Sequence, residues 1–338
     1  MKKILFTLLI FSLMLFVSAC GNGDEKDENK LVIYSPNSEE IINTIIPMFE
    51  KETGIKVELI SAGTGELIKR IETEKGNPNG DIMFGGSKAQ ALGYSDLFEE
   101  YVSKNNDNML PDHQNANGFL TPYGADGSVL LVNTDLIGDI EINSYEDLLN
   151  PELKGKIASA DPASSSSAFA QLTNMLLAMG GDYTSEEGWN YVEELIENLD
   201  GKVASGSSAV HKGVADGEYL VGLTYEDPSV SYVRDDAPVK VVYPEEGAVF
   251  LDAGVEIIKD AKQMENAKKF VDFITSENAQ NAFGTELTIR ALGKDADIAD
   301  YMTPFDEINI IEEDEEYVEK HRDDILDQYM DVFTDSQE

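Results

Sequence analysis

The chain has 338 residues and carries 65 acidic against 25 basic side chains, which gives a formal net charge of −40 at pH 7. This balance excludes nucleic acid as a partner, because a surface that binds the polyanionic backbone of nucleic acid needs clustered Lys and Arg side chains. The length suffices for one large domain or two of ordinary size. A single cysteine excludes an internal structural disulfide.

The first twenty residues are typical of an export signal. Two lysines precede an apolar run over residues 4–17, which is too short to cross a bilayer comfortably. Ser18 and Ala19 then lead to Cys20, and this ending resembles a lipobox, in which the cysteine is lipid-modified when the signal is removed. We therefore predict a signal peptide over 1–19 and lipidation at Cys20. The alternatives are an ordinary signal peptide and a transmembrane anchor.

Residues 20–30 contain Gly, Asn and charged side chains and no apolar residue after the cysteine, so they predict a flexible tether. A lipid at Cys20 would hold the protein on a bacterial membrane without spanning it. We expect an extracytoplasmic, lipid-anchored protein.

Three strand, turn and helix units follow one another in the first part of the chain. Short apolar or alternating runs at 31–34, 55–61 and 81–84 predict strands, and the segments after the first two have helical periodicity. Strands that alternate with helices indicate a parallel sheet with helices on both faces.

The second part of the chain continues the same pattern. Asp126 and Gly127 precede an apolar strand at 128–133 and indicate a crossover into a second lobe, and 249–258 indicates the return crossover. Further elements are predicted as helices from 164 and 206, buried strands at 219–225 and 239–243, and amphipathic helices at 262–275 and 277–283.

Four segments resemble the extracellular solute-binding proteins of ABC importers, in the branch that contains ferric-iron, phosphonate and sugar-phosphate binders. They are LVIYSPNSEEIINTIIPMFEKETGIKVELISAGTGELIKRI, NPELKGKI, DGEYLVGLTYED and NAKKFVDFITSENAQ. The resemblance implies the α/β type II periplasmic-binding-protein fold. In that fold two lobes, each a mixed, mainly parallel sheet flanked by helices, are joined by two hinge crossovers, with ligand between them. We predict lobe 1 over 31–125 and 252–295, and lobe 2 over 126–251 and 296–338.

Five turns that follow the predicted strands consist almost wholly of Ser, Gly, Thr and Asn. Ligands of such sheets bind beyond the carboxyl ends of the strands. Glycine lets backbone amides approach a ligand, hydroxyls donate hydrogen bonds, and helix N-termini add partial positive charge. Each turn alone is also explained as an ordinary cap. Together they predict a site for a small anionic solute, formed by Ser35, Asn37, Ser38, Gly63, Thr64, Gly65, Gly86, Ser87, Ser166, Ser167 and Ser207.

Tyr225 and Glu226 follow the strand that begins at Tyr219, so we expect both to face the ligand. A carboxylate there suits a ligand that also carries hydroxyl or ammonium groups. The alternative is that Glu226 and Asp227 only cap the next helix. His211 is predicted to lend positive charge, with a surface position as the alternative. Arg290 could likewise lend positive charge to the site or lie on the surface, and we expect the surface position.

The resemblance also suggests ferric iron, whose ligands in that family are a tyrosine pair, a histidine and a glutamate. The equivalent positions here hold Asp227 and Pro228, Ser38, and Gly86. We therefore expect an organophosphate, phosphonate or sugar phosphate. Ferric-iron binding is the alternative, as is a sensor module that presents its ligand to a receptor.

The sequence does not indicate an enzyme. It has no H-E-x-x-H, G-x-S-x-G or P-loop motif and only three histidines, although paired acids of a glycosidase need no local motif. We predict no cofactor and no bound metal. The expected partners are the solute and the ABC permease subunits in the membrane, and we expect a monomer.

Overall fold

The computed structural model describes residues 29–336, apart from the side chains of Ser87, Ala89 and Gln90. The predicted signal peptide, Cys20 and most of the predicted tether therefore lie outside the described residues. Among the helices within 29–336, none is both long and apolar enough to cross a membrane.

The first lobe is built on a sheet in which three strands run parallel. β1 lies between β2 and β3, as the three predicted strand, turn and helix units require. Its opening elements are β1 (Lys30–Ser35), α1 (Glu39–Thr53), β2 (Lys56–Ser61), α2 (Thr64–Thr73), β3 (Ile82–Ser87) and α3 (Lys88–Gly93). The prediction of a parallel arrangement for these strands is confirmed.

Helix α1 shows why the sequence forms these units. Ser38 caps it by accepting a hydrogen bond from the Ile41 amide at 3.4 Å, and Gly54 ends it in the left-handed region with φ 72°. Ile45 and Phe49 are fully buried on the face that meets the sheet and its neighbouring helices. The turn after β1 is thereby held at the carboxyl end of that strand.

Two long strands connect the lobes. β4 (Leu120–Asn133) pairs with β8 (Phe250–Ile257) as far as Gly127, and from Ser128 onward it pairs with β6 (Val221–Tyr225). The chain therefore crosses into the second lobe between Gly127 and Ser128. Every pairing made by these two strands is antiparallel, so the sheets are mixed but less parallel than expected. The direction of a crossover strand follows from long connections and leaves no local signal.

The second lobe packs helices on both sides of its strands. Its elements are β5 (Ile157–Ala158), α4 (Ser166–Gly180), α5 (Glu186–Leu199), α6 (Ser207–Ala215), β6, α7 (Glu226–Arg234) and β7 (Val239–Val242). β5 runs parallel to β6. Short 3-10 helices occupy Ser95–Leu97, Asn106–Asn108, Pro111–His113, Glu146–Leu149, Pro151–Leu153 and Phe305–Glu307.

The C-terminal part of the chain contributes to both lobes. After α8 (Met264–Ile274), α9 (Glu277–Thr285) and β9 (Arg290–Ala291), the Ala299 amide still bonds to Gly284 of the first lobe at 2.8 Å. Ile310 then pairs with Ala248, and α10 (Glu315–Lys320) and α11 (Arg322–Asp335) pack on the core of the second lobe. Contacts with the first lobe thus extend to Ala299, and the lobe boundary at 296 remains a prediction.

Candidate functional site

The turn after β1 is joined to the end of β3 by hydrogen bonds centred on Asn37. Its amide nitrogen Nδ2 donates to the Phe84 carbonyl at 3.2 Å, and its Oδ1 accepts from the Tyr123 hydroxyl at 2.9 Å. The Ser35 hydroxyl also donates to Phe84, at 2.6 Å, and is fully buried. Ser35 therefore supports the turn, while Asn37 is the group placed between the strands.

Two glycines, predicted to form a turn, lie instead in the irregular last part of β3 and bring that strand close to Asn37 and Thr64. Gly85 and Gly86 have φ of 107° and 103°, values that side chains rarely adopt. A Cβ on Gly85 would lie 2.5 Å from Asn37 Oδ1, and one on Gly86 would lie 2.9 Å from Thr64 Cγ2. The predicted convergence of Asn37, Thr64 and Gly86 thus has a direct geometric basis. Ser87 follows in β3, and its side chain is outside the described residues.

The serine-rich turns of the second lobe also lie together. The Ser164 hydroxyl donates to the Ser205 carbonyl at 3.0 Å, next to the start of α6. Ser165 caps α4, and its hydroxyl is 3.2 Å from that of Ser167. Ser166, on the first turn of α4, is exposed. The N-termini of α4 and α6 are therefore neighbours.

Ser207 connects these turns to the end of β6. Its side chain lies near that of Tyr225 and slightly opposes the rise in the tyrosine pKa, and the Tyr225 ring lies 6.1 Å from that of His211. Burial, with the nearby carboxylates of Asp126 and Asp227, raises the pKa of Tyr225 to about 12. The Tyr225 hydroxyl consequently keeps its proton at physiological pH and is available as a hydrogen-bond donor.

His211 does not have the role predicted for it. The side chain is buried, and burial lowers the pKa of the imidazole below its ordinary value. Burial therefore favours the neutral ring and opposes the predicted positive charge. Its Nδ1 atom is buried without a hydrogen-bond partner among the described residues.

Asp126 and Asp227 lie between the polar groups of the two lobes. Asp126 Oδ1 accepts from the Asp227 amide at 3.0 Å, and Asp227 Oδ1 accepts from the Thr288 hydroxyl at 2.6 Å. Burial raises the pKa of both carboxyls, and the charge of Asp227 adds to the effect at Asp126. The Asp227 charge also acts on Tyr123 of the first lobe and Tyr225 of the second. The carboxylate pair thus lies within electrostatic reach of a tyrosine from each lobe.

Glu226 is turned away from these groups, which corrects the prediction that it binds the ligand. It has no exposed surface, and both carboxylate oxygens accept hydrogen bonds from Arg290. Tyr225 and Glu226 are consecutive at a strand end, where neighbouring side chains point to opposite faces. Arg290 is 1% exposed, so the preferred surface position was also wrong.

The remaining predicted residues occupy helix starts. Ser38 caps α1, Gly63 is the capping residue of α2, and Gly65 is exposed on the first turn of that helix. The α7 cap is supplied by Asp126 from β4 and not by a side chain of Glu226 or Asp227, since the Asp227 amide bonds to Asp126. Within residues 29–336, no group of three or more His, Cys, Asp or Glu side chains is placed to hold a metal ion.

Sequence reasoning missed Tyr123, Asp126 and Lys88 as residues of this region. Tyr123 and Asp126 belong to crossover strand β4, whose register against β8 is interrupted near Pro122, so no local pattern reveals which side chains reach the turns. Lys88 directly follows β3 and pairs with Glu315 of the second lobe. Its position after the Gly-Gly-Ser turn was the available signal.

Comparison with known proteins places the chain among binding proteins. The profile described as "Bacterial extracellular solute-binding protein" matches residues 31–285. The chain is 26% identical to Iron uptake protein A1 of Synechocystis sp., covering 81% of this chain and 80% of that one. It is 24% identical to a periplasmic protein of Salmonella typhimurium whose name refers to 2-aminoethylphosphonate binding, over 69% and 68% of the two chains.

A solved structure shows the same fold. The periplasmic binding protein AfuA from Actinobacillus pleuropneumoniae, with fructose-6-phosphate bound, superposes with a TM-score of 0.76 at 25% identity. The match covers 90% of this chain and 98% of that chain. The predicted two-lobed α/β architecture is confirmed by this likeness.

Proposed function

Because the chain belongs to the family of bacterial extracellular solute-binding proteins, we propose that it captures a small anionic solute between its lobes and delivers it to an ABC importer. The proposed solutes are an organophosphate, a phosphonate or a sugar phosphate. Members of the family bind and release solutes, and we propose that this chain likewise carries out no turnover.

This proposal rests on one observation: uncharged hydrogen-bond donors cluster near helix N-termini in both lobes. In the first lobe, Asn37 adjoins Gly85 and Thr64 adjoins Gly86, and in the second lobe, Ser207 lies near Tyr225 beside the start of α4. Amide and hydroxyl dipoles can bind an oxyanion without a basic side chain. In a chain of net charge −40, such local donors have to offset an unfavourable overall field.

The neighbouring carboxylates indicate the rest of the ligand. Asp126 and Asp227 lie beside Tyr225, so a ligand that is an anion at one end and carries hydroxyl or ammonium groups at the other would match both. The relatives agree with this class, since one is named for 2-aminoethylphosphonate and one solved structure contains fructose-6-phosphate.

Ferric iron is the second candidate, because one relative is an iron uptake protein. The positions at which the family holds iron carry Ser38, Gly86, Asp227 and Pro228 here, and these supply one carboxylate in place of two phenolates, an imidazole and a carboxylate. The donor set therefore favours the anionic solute.

We further propose that Cys20 carries a lipid and that residues 21–30 tether the binding lobes to the outer face of the membrane, as a monomer. Growth with a clickable fatty acid tests the anchor. Label should be incorporated into the native chain and lost in Cys20→Ser. Retention of label by Cys20→Ser would refute lipidation at that residue.

A thermal-shift screen tests the ligand class, since a solute that binds only the folded state raises the melting temperature. We expect stabilisation by phosphonates or organophosphates, and a shift with ferric citrate alone would instead support iron. Ser166→Ala and Ser207→Ala should weaken binding without lowering the melting temperature of the free protein. Ser208→Ala is the matched control, because Ser208 is an exposed serine on the same turn.

A further inference from the structure

An ion pair with almost no exposed surface joins the two lobes. Arg290 belongs to β9, which pairs with β4 in the first lobe, and its neighbour Ala291 lies in the core of that lobe. Glu226 is the first residue of α7 in the second lobe. Arg290 Nε donates to Glu226 Oε2 at 3.0 Å, and Arg290 Nη2 donates to Glu226 Oε1. The relative exposures are 1% and 0%.

Further contacts hold the guanidinium group of Arg290 in one position. Arg290 Nη1 donates to the Thr303 carbonyl at 2.7 Å, and Nη2 lies 3.2 Å from the Tyr243 hydroxyl. The guanidinium carbon lies 4.4 Å from the ring centroid of Phe305 and 5.1 Å from that of Phe250. A charged group that is hydrogen-bonded on three sides and lies against two aromatic rings has little freedom to move.

The ion pair acts on the first turn of α7, which begins directly after Tyr225. Thr288, two residues before Arg290, bonds to Asp227, so two residues of one short segment hold two consecutive residues of α7. Tyr225 and Asp227 face the candidate ligand site, whereas Glu226 faces Arg290. Fixing Glu226 therefore fixes the direction in which its two neighbours point.

We propose that Arg290 is a positioning residue for ligand binding: through Glu226 it holds the start of α7, and with it Tyr225 and Asp227, at one angle to the first lobe. It does not touch the ligand. This inference rests on the proposed function, because it assigns Arg290 to the site that binds the anionic solute.

The test replaces the pair without leaving a buried charge. In Arg290→Met combined with Glu226→Gln, apolar and neutral groups of similar size fill the space, and such replacements need not lower stability, whereas loss of one partner alone does. We expect the melting temperature of the double variant to stay close to that of the native chain. The affinity for 2-aminoethylphosphonate or fructose-6-phosphate, whichever the native chain binds, should fall at least tenfold.

A distance measurement provides a readout that does not depend on ligand. Spin labels at Lys51→Cys in α1 and Glu193→Cys in α5, both exposed, report the separation of the lobes in the full chain that carries Cys20→Ser. We expect a broader distance distribution in the double variant than in the native pair. Arg290→Lys keeps the charge but loses the two-point contact. Its affinity for the ligand should lie between those of the double variant and the native chain.

The matched control is Arg70→Met with Glu74→Gln. Arg70 Nε bonds to Glu74 Oε1 at 2.9 Å, and its guanidinium carbon lies 4.8 Å from the Tyr34 ring centroid, so this more exposed Arg–Glu pair also contacts an aromatic ring but stays within the first lobe. This control should change neither affinity nor the distance distribution.

The outcomes separate the two proposals. If the thermal-shift screen finds no organophosphate, phosphonate or sugar phosphate that binds the native chain, the proposed function fails, and the distance distributions alone decide the role of Arg290. If the folded double variant binds as tightly as the native chain and keeps a narrow distribution, the positioning role is refuted. If it does not fold, Arg290→Lys decides: native affinity together with a native distribution would overturn the proposal.

Discussion

Lys88 Nζ lies 3.1 Å from Glu315 Oε1, and this ion pair joins the lobes at a second place. Lys88 follows β3 in the first lobe, while Glu315 begins α10, which packs on the core of the second. Burial opposes the charge on Lys88, but the carboxylates of Glu315, Asp252 and Glu312 together more than compensate and raise the pKa of the lysine. The pair is partly exposed, at 32% and 16% of the side chains, so salt can screen it.

Lys88→Met should weaken ligand binding if contact between the lobes accompanies binding. A partly exposed pair is worth a few tenths to about 1 kcal/mol, so we expect a loss of roughly two- to fivefold at low ionic strength. The loss should disappear near ~1 M salt, where charges are screened within a few ångströms. Calorimetric titration at two ionic strengths measures both values.

Lys104→Met is the control, because Lys104 pairs with Asp272 at 3.3 Å within the first lobe. It should leave affinity unchanged at either ionic strength. A loss in Lys88→Met that is equal at low and high salt would contradict an electrostatic contribution.

Glu313 makes stability depend on pH. Burial raises the pKa of its carboxyl to about 7, and the Thr173 hydroxyl only partly offsets this. In the unfolded chain a glutamate titrates near ~4.3. At pH values between these two pKa values the unfolded state binds fewer protons than the folded state. The free energy of unfolding therefore falls as the pH rises through that range. Glu313→Gln should match the native chain at pH 4 and exceed it by about 1–3 kcal/mol at pH 8.

Chemical denaturation at the two pH values measures this difference. Glu312→Gln removes a neighbouring carboxylate that is exposed, and it should not reproduce the gain at pH 8. An equal gain from Glu313→Gln at pH 4 and pH 8 would show that protonation of Glu313 is not the cause.

Gly85→Ala should disrupt the site in the first lobe. The new Cβ would meet Asn37 Oδ1 at 2.5 Å in a backbone conformation that disfavours side chains, so Asn37 would lose its bonds to Phe84 and Tyr123. Strain of this kind costs about 1–3 kcal/mol. We expect lower stability by that amount and at least a tenfold loss of affinity. Gly93→Ala is the control, because a Cβ there would meet nothing within 4 Å.

The early part of the fold could be predicted because its signals are local. Ser38, Gly54 and the apolar spacing of α1 define one helix within 20 or so residues, and each parallel strand ends in a Ser- or Gly-rich turn. A general rule then places those turns together at one edge of the sheet. The approach of Gly85 to Asn37 and of Gly86 to Thr64 follows from these local features.

Other features depend on residues far apart in the chain. Glu226 and Arg290 are separated by 64 positions, and nothing near either residue shows that they pair. The same holds for Tyr123 and Asn37, which are 86 positions apart. A buried polar side chain requires a partner, but the sequence does not say which residue provides it. The sequence therefore predicts that Tyr225 and Glu226 both face the ligand, although in the structure their side chains point to opposite sides of the strand end.

Tyr225→Phe should weaken anion binding with little effect on folding. A hydrogen bond to a charged group contributes about 1.5–3 kcal/mol, so removal of the hydroxyl should reduce affinity about tenfold or more. Tyr232→Phe is the control, because Tyr232 also packs against His211, with ring centroids 5.9 Å apart, but lies further along α7.

Because the pKa of Tyr225 is raised to about 12, the native affinity for a phosphonate should not fall through tyrosine ionisation up to pH 10.5. Above that range the phenolate would repel the anion. A decline centred near pH 10 that is absent in Tyr225→Phe would show that Tyr225 ionises normally and is not enclosed as described.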